Sequence, residues 1–209
     1  MKRHIAVAIT GASGAIYGLR LVEELLAADC RVSLLISRAG FIVLKEECAL
    51  DWMGDEAAVN CTIQQRFSAN PDQLLFYDEG NFFSPLASGS SAPDAMVVAP
   101  CSMGSLGRIA AGLSGNLLER AADVMLKEGR QLILMPRETP LSAIHLENML
   151  KLARLGVAII PPIPGFYNHP QTIEDMVDFV ISRVLDRIGV ENRLAKRWGD
   201  NCPLTRAST

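Results

Sequence analysis

The chain is predicted to be a three-layer, Rossmann-like α/β protein with a doubly wound parallel sheet of about six strands. Three observations predict it. Short, almost wholly apolar runs recur at residues 4–9, 31–36, 95–99, 131–135 and 157–160, as expected of strands buried on both faces. Segments with apolar residues at helical spacing alternate with these runs, the pattern of parallel strands joined by crossover helices. The first run leads directly into Gly11-Ala12-Ser13-Gly14, a turn that opens a helix.

The elements follow in order. After the turn, Ile16, Leu19, Val22, Leu25 and Leu26 share a helical face. The second strand, 31–36, is followed by a helical segment at 39–52. Residues 54–93 have poor periodicity, with loop signals at Asn70-Pro71-Asp72 and Ser88-Gly89-Ser90-Ser91 and a short strand at 74–77. The strand at 95–99 stops at Pro100. Helical segments over 106–127 are broken near 112–115. The strand at 131–135 stops at Pro136. A helix over 142–155 takes Ile144, Leu146, Met149, Leu150 and Leu152 as its apolar positions. The last strand, 157–160, stops at Pro161-Pro162. A final helix over 172–188 opens on Thr172 and Asp175, a capping box with Asp in place of Glu. Its buried stripe is Ile173, Met176, Val177, Val180 and Val184. One domain is expected over 1–189 and a polar tail over 190–209.

With 209 residues, the chain can bury one core but not two ordinary ones. A net charge of -3 supplies no basic field for nucleic acid or anionic lipid. Met1-Lys2-Arg3 and the apolar run behind it imitate a secretory signal, but that run ends at Thr10-Gly11, too early for one. No run approaches the ~18 apolar residues of a membrane span. The five cysteines include no C-x-x-C pair, and the three histidines are scattered. A disulfide framework and a metal site are therefore not expected, and a cytoplasmic location is.

In sheets of this class the ligand lies outside the carboxyl ends of the strands. The loops 10–15, 100–105 and 136–140 fall there. The glycine turn offers helix-start amides to an anion; a plain tight turn is the alternative. The segment from Thr10 to Gly18 also looks like a short-chain dehydrogenase. However, Tyr17, Tyr77 and Tyr167 are followed four residues later by Leu21, Asn81 and Gln171, so the Tyr-x-x-x-Lys pair is absent. The second strand ends at Ser37-Arg38 instead of an acid for a ribose, which favours a mononucleotide over NAD. In Cys101-Ser102-Met103-Gly104-Ser105 the small residues let a flat ring approach, with hydroxyls and amides as donors; an ordinary loop is equally compatible. Cys101 has no nearby His and is expected to be inert. Arg120 and Lys127 share a helical face, either for a ligand or as a solvated face with an Asp123–Lys127 pair. Pro136-Arg137-Glu138-Thr139-Pro140 sets an Arg that can grip a phosphate beside a Glu that can relay a proton; a structural ion pair competes with that reading. Tyr167 either packs or reaches a ligand. Arg183, at the margin of the last helix's stripe, either snorkels or meets an anion.

Several segments together resemble the UbiX flavin prenyltransferases over residues 4 to roughly 189. They are Thr10-Gly11-Ala12-Ser13-Gly14, Ala99-Pro100-Cys101-Ser102-Met103, residues 116–124, 136–142, His145-Leu146-Glu147-Asn148-Met149, 161–167 and the helix with Arg183. The stretch 136–149 is the distinctive part. Gly104-Ser105 stands where relatives often have Lys-Thr, and Gly107 is smaller than usual.

The resemblance implies transfer of the dimethylallyl group of dimethylallyl monophosphate to N5 and C6 of reduced FMN, without a metal. The product, prenylated FMN, would pass to a UbiD-type decarboxylase that serves ubiquinone biosynthesis. A homododecamer is implied too. By the same resemblance, Gly11, Ala12, Ser13, Ser37, Ser102, Met103, Gly104, Ser105 and Arg137 bind FMN. Lys127, Glu138, Tyr167 and Arg183 hold the donor phosphate, with Arg120 reaching in from a neighbouring subunit. Ser13 lies beside N5, Glu47 and Glu138 move protons, and Lys127 joins them in catalysis. Two alternatives stand beside this one. A flavin-dependent cysteine decarboxylase of the phosphopantothenoylcysteine type shares the fold, but it should carry a His after the second strand, and none lies between 4 and 145. A non-catalytic flavin carrier would not need the charged set.

Overall fold

Six parallel strands form one sheet in the order β3-β2-β1-β4-β5-β6. They are β1 (His4–Ile9), β2 (Arg31–Ile36), β3 (Leu74–Tyr77), β4 (Ala95–Cys101), β5 (Gln131–Pro136) and β6 (Ala158–Ile159). The computed structural model describes residues 2–52 and 54–196; the end of the expected tail, beyond 196, lies outside them. The chain winds outward from β1 to β3, then returns to the other side of β1 for β4, β5 and β6. The winding reverses between β1 and β4, where such sheets open a ligand crevice.

Among the described residues seven α-helices cover the two faces: α1 (Ala15–Ala27), α2 (Arg38–Cys48), α3 (Glu56–Phe67), α4 (Met103–Ala110), α5 (Leu117–Lys127), α6 (Ala143–Arg154) and α7 (Ile173–Ile188). Side chains alternate along each strand, which divides the core. Ile5, Val7 and Ile9 pack with α1, α3 and α7 on one face. Ala6 and Ala8 pack with α4, α5 and Leu152 of α6 on the other. Both faces of the central strands are thus buried, as their unbroken apolar runs require.

Helix α1 approaches β4 closely at Gly18, where an added Cβ would stand 2.4 Å from the carbonyl oxygen of Ala99. The α7 capping box forms as expected: Thr172 Oγ1 accepts from the Asp175 amide at 3.1 Å, and Asp175 accepts from the Thr172 amide at 3.1 Å.

Three expectations change. Residues 54–93 contain helix α3, capped by Asp55, which accepts from the Ala58 amide at 2.9 Å. This helix buries only Val59 and Ile63 over the sheet edge, too narrow a stripe to register as a period. Second, the apolar positions of α6 are mostly not core. Leu152 is buried, but Leu146 and Leu150 are exposed and Ile144 is 68% exposed. Ile173, expected in the α7 stripe, is exposed as well. Third, the helical segment expected over 39–52 stops at Cys48, because Ala49 turns left-handed at φ 55.

Among the described residues no helix is long and apolar enough to cross a membrane, and no group of three or more His, Cys, Asp or Glu could hold a metal ion.

Replacing Gly18 by Ala should cost about 1–3 kcal/mol, because the clash is with backbone and α1 must shift. Urea unfolding checks it; an unchanged midpoint would contradict this packing.

Candidate functional site

Thr10 ties the two strands that part. Its side chain is fully buried. The hydroxyl donates to the Pro100 carbonyl at 2.8 Å and accepts from the Ser102 amide at 2.8 Å. The Thr10 amide also donates to Pro100, at 3.2 Å. The Ser37 amide donates to Ile9 at 3.0 Å, and the Arg137 amide to Cys101 at 3.2 Å. The ends of β2, β1, β4 and β5 are thereby laced into one edge, which carries all three predicted loops.

The glycine turn has a structure of its own. A Cβ on Gly11 would stand 2.4 Å from that of Ala39, so glycine lets the turn press against the start of α2. Gly14 takes φ 107, which favours glycine. The helix-start amides do not wait for a phosphate, however. Gly14 and Ala15 donate to Glu47 Oε2 at 2.8 and 3.1 Å. The simple picture of this turn as a phosphate seat is therefore corrected: a carboxylate from α2 already occupies the positive end of α1. Burial alone would raise the Glu47 pKa. The Ser13 hydroxyl, the two amides and the charge of Arg137 outweigh it and hold the carboxyl below the usual range.

Arg137 bonds through Nε to the Ser13 carbonyl at 3.2 Å. Ser13, Glu47 and Arg137 thus come together, although they lie far apart in sequence. Arg137 and Glu138 do not form the structural pair considered above: Glu138 accepts from the Thr139 amide at 3.0 Å, and both residues are exposed.

Ser102 caps α4. Its Oγ accepts from the Ser105 amide at 3.2 Å and donates to Ser105 Oγ at 3.0 Å. Ser105 is itself buried. Both serines, expected at the cofactor, therefore spend hydrogen bonds within the loop. The amides of Met103 and Gly104 make none with the described protein and are the donors left at this turn. Ser37 plays the same part in α2, accepting from the Gly40 amide at 3.0 Å. A cleft of about 260 Å³ beside it is lined by Ile36, Arg38, Phe41, Glu79, Gly115 and Asn116, among others. Small residues, free amides, an arginine and this cleft on one edge fit a flat ring with a phosphate arm. Cys101 is buried, and burial pushes its thiol up to about 12, so the inert reading fits.

The predicted donor-phosphate residues are not brought together within one chain. Lys127 ends α5, four residues before β5 starts; Glu138 lies two residues after β5 ends. A six-residue strand spans roughly 17 Å, so the two stand at opposite edges of the sheet. Lys127 pairs with Glu128, and Arg120 with Asp123 at 2.9 Å and the Ala87 carbonyl at 3.1 Å; the Asp123–Lys127 alternative is not formed. Arg183 is exposed on α7, across the sheet from α5. Tyr167 packs its ring edge-on against Phe179 of α7, with centroids 5.6 Å apart.

Sequence reasoning missed Thr10, Arg108 and Glu119. Only the place of Thr10, directly after a strand and before a glycine turn, could have marked it.

A model of the flavoprotein family matches residues 1–185. A flavin prenyltransferase UbiX from Halalkalibacterium halodurans is 50% identical over 93% of this chain and 92% of its own. The dodecameric FMN-dependent UbiX-like decarboxylase from Escherichia coli O157:H7 superposes with a TM-score of 0.80 at 41% identity, covering 93% of this chain and 98% of its own. AnUbiX (PadA1), solved with FMN and dimethylallyl pyrophosphate, superposes at 0.83 with 37% identity, covering 95% and 98%. A PPC decarboxylase matches at 20% identity with a TM-score of 0.61, over 91% of this chain and all of its own, and so shares the fold alone.

Because the Glu47 pKa is lowered in the fold, its contribution to stability is present above the unfolded value of about 4.3 and lost as pH falls through the lower folded value. Glu47→Gln should therefore lower the Tm at neutral pH, with the gap from the parent closing in acid. An equal gap at both pH values in thermal melts would refute the ionised state. Thr10→Val should cost about 1–3 kcal/mol by stranding the Ser102 amide, while the Pro100 carbonyl keeps its bond from the residue-10 amide; chemical denaturation measures it.

Proposed function

The chain belongs to the UbiX flavin prenyltransferases, and on that premise we propose how its residues serve the transfer of a dimethylallyl group to FMN. The observation that carries this assignment is the Ser13, Glu47 and Arg137 constellation, set at the switch point beside the start of α4. Bound reduced FMN supplies the nucleophilic N5 and C6.

The amides of Met103 and Gly104 and the turn Gly11-Ala12-Ser13 would hold the flavin ring. Ser37, at the start of α2, and Arg137 hold the phosphate arm, away from the carboxylate that fills the start of α1. Ser13 would stand beside N5 and relay the proton that N5 loses on alkylation to Glu47, whose ionised state suits it as acceptor. The donor is dimethylallyl monophosphate. Arg120, Lys127, Tyr167 and Arg183 surround its phosphate and offset the charge that grows as the C–O bond breaks. Glu138 would hold the donor phosphate and relay a proton from solvent to it as it leaves. Holding the allylic carbon against N5 contributes the rest of the acceleration.

Because Lys127 and Glu138 stand at opposite edges of the sheet, the donor site is closed by neighbouring copies of the chain, Lys127 coming across as well as Arg120. The exposed apolar residues Leu141, Ile144, Leu146 and Leu150 support such an assembly, since several exposed apolar side chains on one segment mark an interaction surface. The dodecameric relative supports a dodecamer here. The product passes to a UbiD-type decarboxylase in ubiquinone biosynthesis. The scattered cysteines support a reducing cytoplasm.

Glu138→Ala should retain FMN but lose transfer. Reduced FMN mixed with dimethylallyl monophosphate, and separately with the pyrophosphate, is read by product mass; full turnover by the variant would sink the role of Glu138. Arg183→Ala should raise the donor KM about tenfold or more, the size of one lost charged contact. An unchanged donor dependence would remove Arg183 from the phosphate site.

A further inference from the structure

Glu119 is a charged residue in the first turn of α5 whose side chain is only 4% exposed. Its carboxylate accepts from the Gly115 amide at 2.9 Å and from Asn116 Nδ2 at 3.3 Å, and it pairs with Nε of Arg108 on α4. Holding Nε leaves the two Nη groups directed elsewhere. Nη2 donates to Ser105 Oγ at 3.4 Å. Nη1 lies 3.4 Å from where a Cβ on Gly104 would stand. The guanidinium is thus pinned against the turn whose free amides belong to Met103 and Gly104.

Neither residue is needed to hold α4 on the sheet, because Met103, Leu106 and Ile109 do that. A buried carboxylate is costly unless it is paired and hydrogen-bonded, and this one is spent on fixing a cation. The pair is neutral overall, but its carboxylate faces Gly115 and Asn116 while the Nη groups of Arg108 face the turn, so the turn meets the cationic end of the pair. Reduced flavin carries negative charge on its pyrimidine ring near neutral pH; oxidised flavin does not.

We infer that Arg108, oriented by Glu119, is a positioning residue that makes the 102–105 turn selective for the reduced, anionic acceptor. This rests on the reading of that turn as the flavin seat. Ser105 transmits the arrangement to Ser102, and the guanidinium adds positive potential where the flavin's charge accumulates.

The test compares affinities for oxidised and reduced FMN, by fluorescence quenching and by anaerobic titration. Arg108→Met together with Glu119→Gln removes the pair without stranding a buried carboxylate. The double variant should bind reduced FMN about tenfold more weakly, one charged contact's worth, while oxidised FMN is almost unaffected. Arg108→Lys should restore most of the difference. A merely structural role would weaken both forms alike. Ser102→Ala serves as the control. If it weakens both forms while the double variant changes neither, or changes both equally, the inference about Arg108 fails alone. If neither variant alters either affinity, the flavin seat is elsewhere and the inference falls with it.

Discussion

One buried hydroxyl organises this edge of the molecule. In a doubly wound sheet the strands at the switch point lead their chains away to opposite faces, which opens the crevice a ligand needs and also leaves two strand ends without lateral support. Thr10 supplies that support. It donates to Pro100 and accepts from Ser102, so the start of α4 is registered against the end of β1. The bonds from Ser37 to Ile9 and from Arg137 to Cys101 carry the same registration to the neighbouring strands. The loops that follow, with their serines and arginine, are held by rigid strand ends, the form in which a site keeps its geometry.

Electrostatics divides the work along that edge. A helix start attracts one anion, and α1 has given its place to Glu47. That choice moves any phosphate toward α2 and Arg137, and it leaves a carboxylate, kept ionised, beside Ser13. Under the proposed function, a generic phosphate turn thereby becomes a place where a proton can be accepted next to the flavin ring. A few residues away, Glu119 does the converse, fixing the cation Arg108 beside α4. Each buried or capped acid determines which charge its turn presents.

Much of this was legible in the chain itself. Apolar runs of strand length, stopped by Gly or Pro after β1, β4 and β5 and by Ser37-Arg38 after β2, set out these four strands within a residue or two, because a strand buried on both faces admits few polar residues. Thr172 and Asp175 announced the start of α7 through a cap that needs only local bonds. Helix α3 was not legible, since Val59 and Ile63 are its only buried residues and two positions make no period. The apolar positions of α6 were legible, but not which of them face the core. Ile144, Leu146 and Leu150 read the same in the sequence whether they meet their own sheet or another molecule.

The sequence by itself determined the parallel sheet, the place of the three loops at its carboxyl edge and, through the stretch 136–149, the family. These follow from local pattern, which is written in consecutive residues. Only the tertiary structure decided that Glu47 fills the start of α1, that Ser105 turns inward toward Arg108, and that Lys127 stands a full strand length from Glu138. Those are relations between side chains separated by tens of residues. They depend on how helices from different parts of the chain meet across a twisted sheet, and no spacing within one segment records that distance.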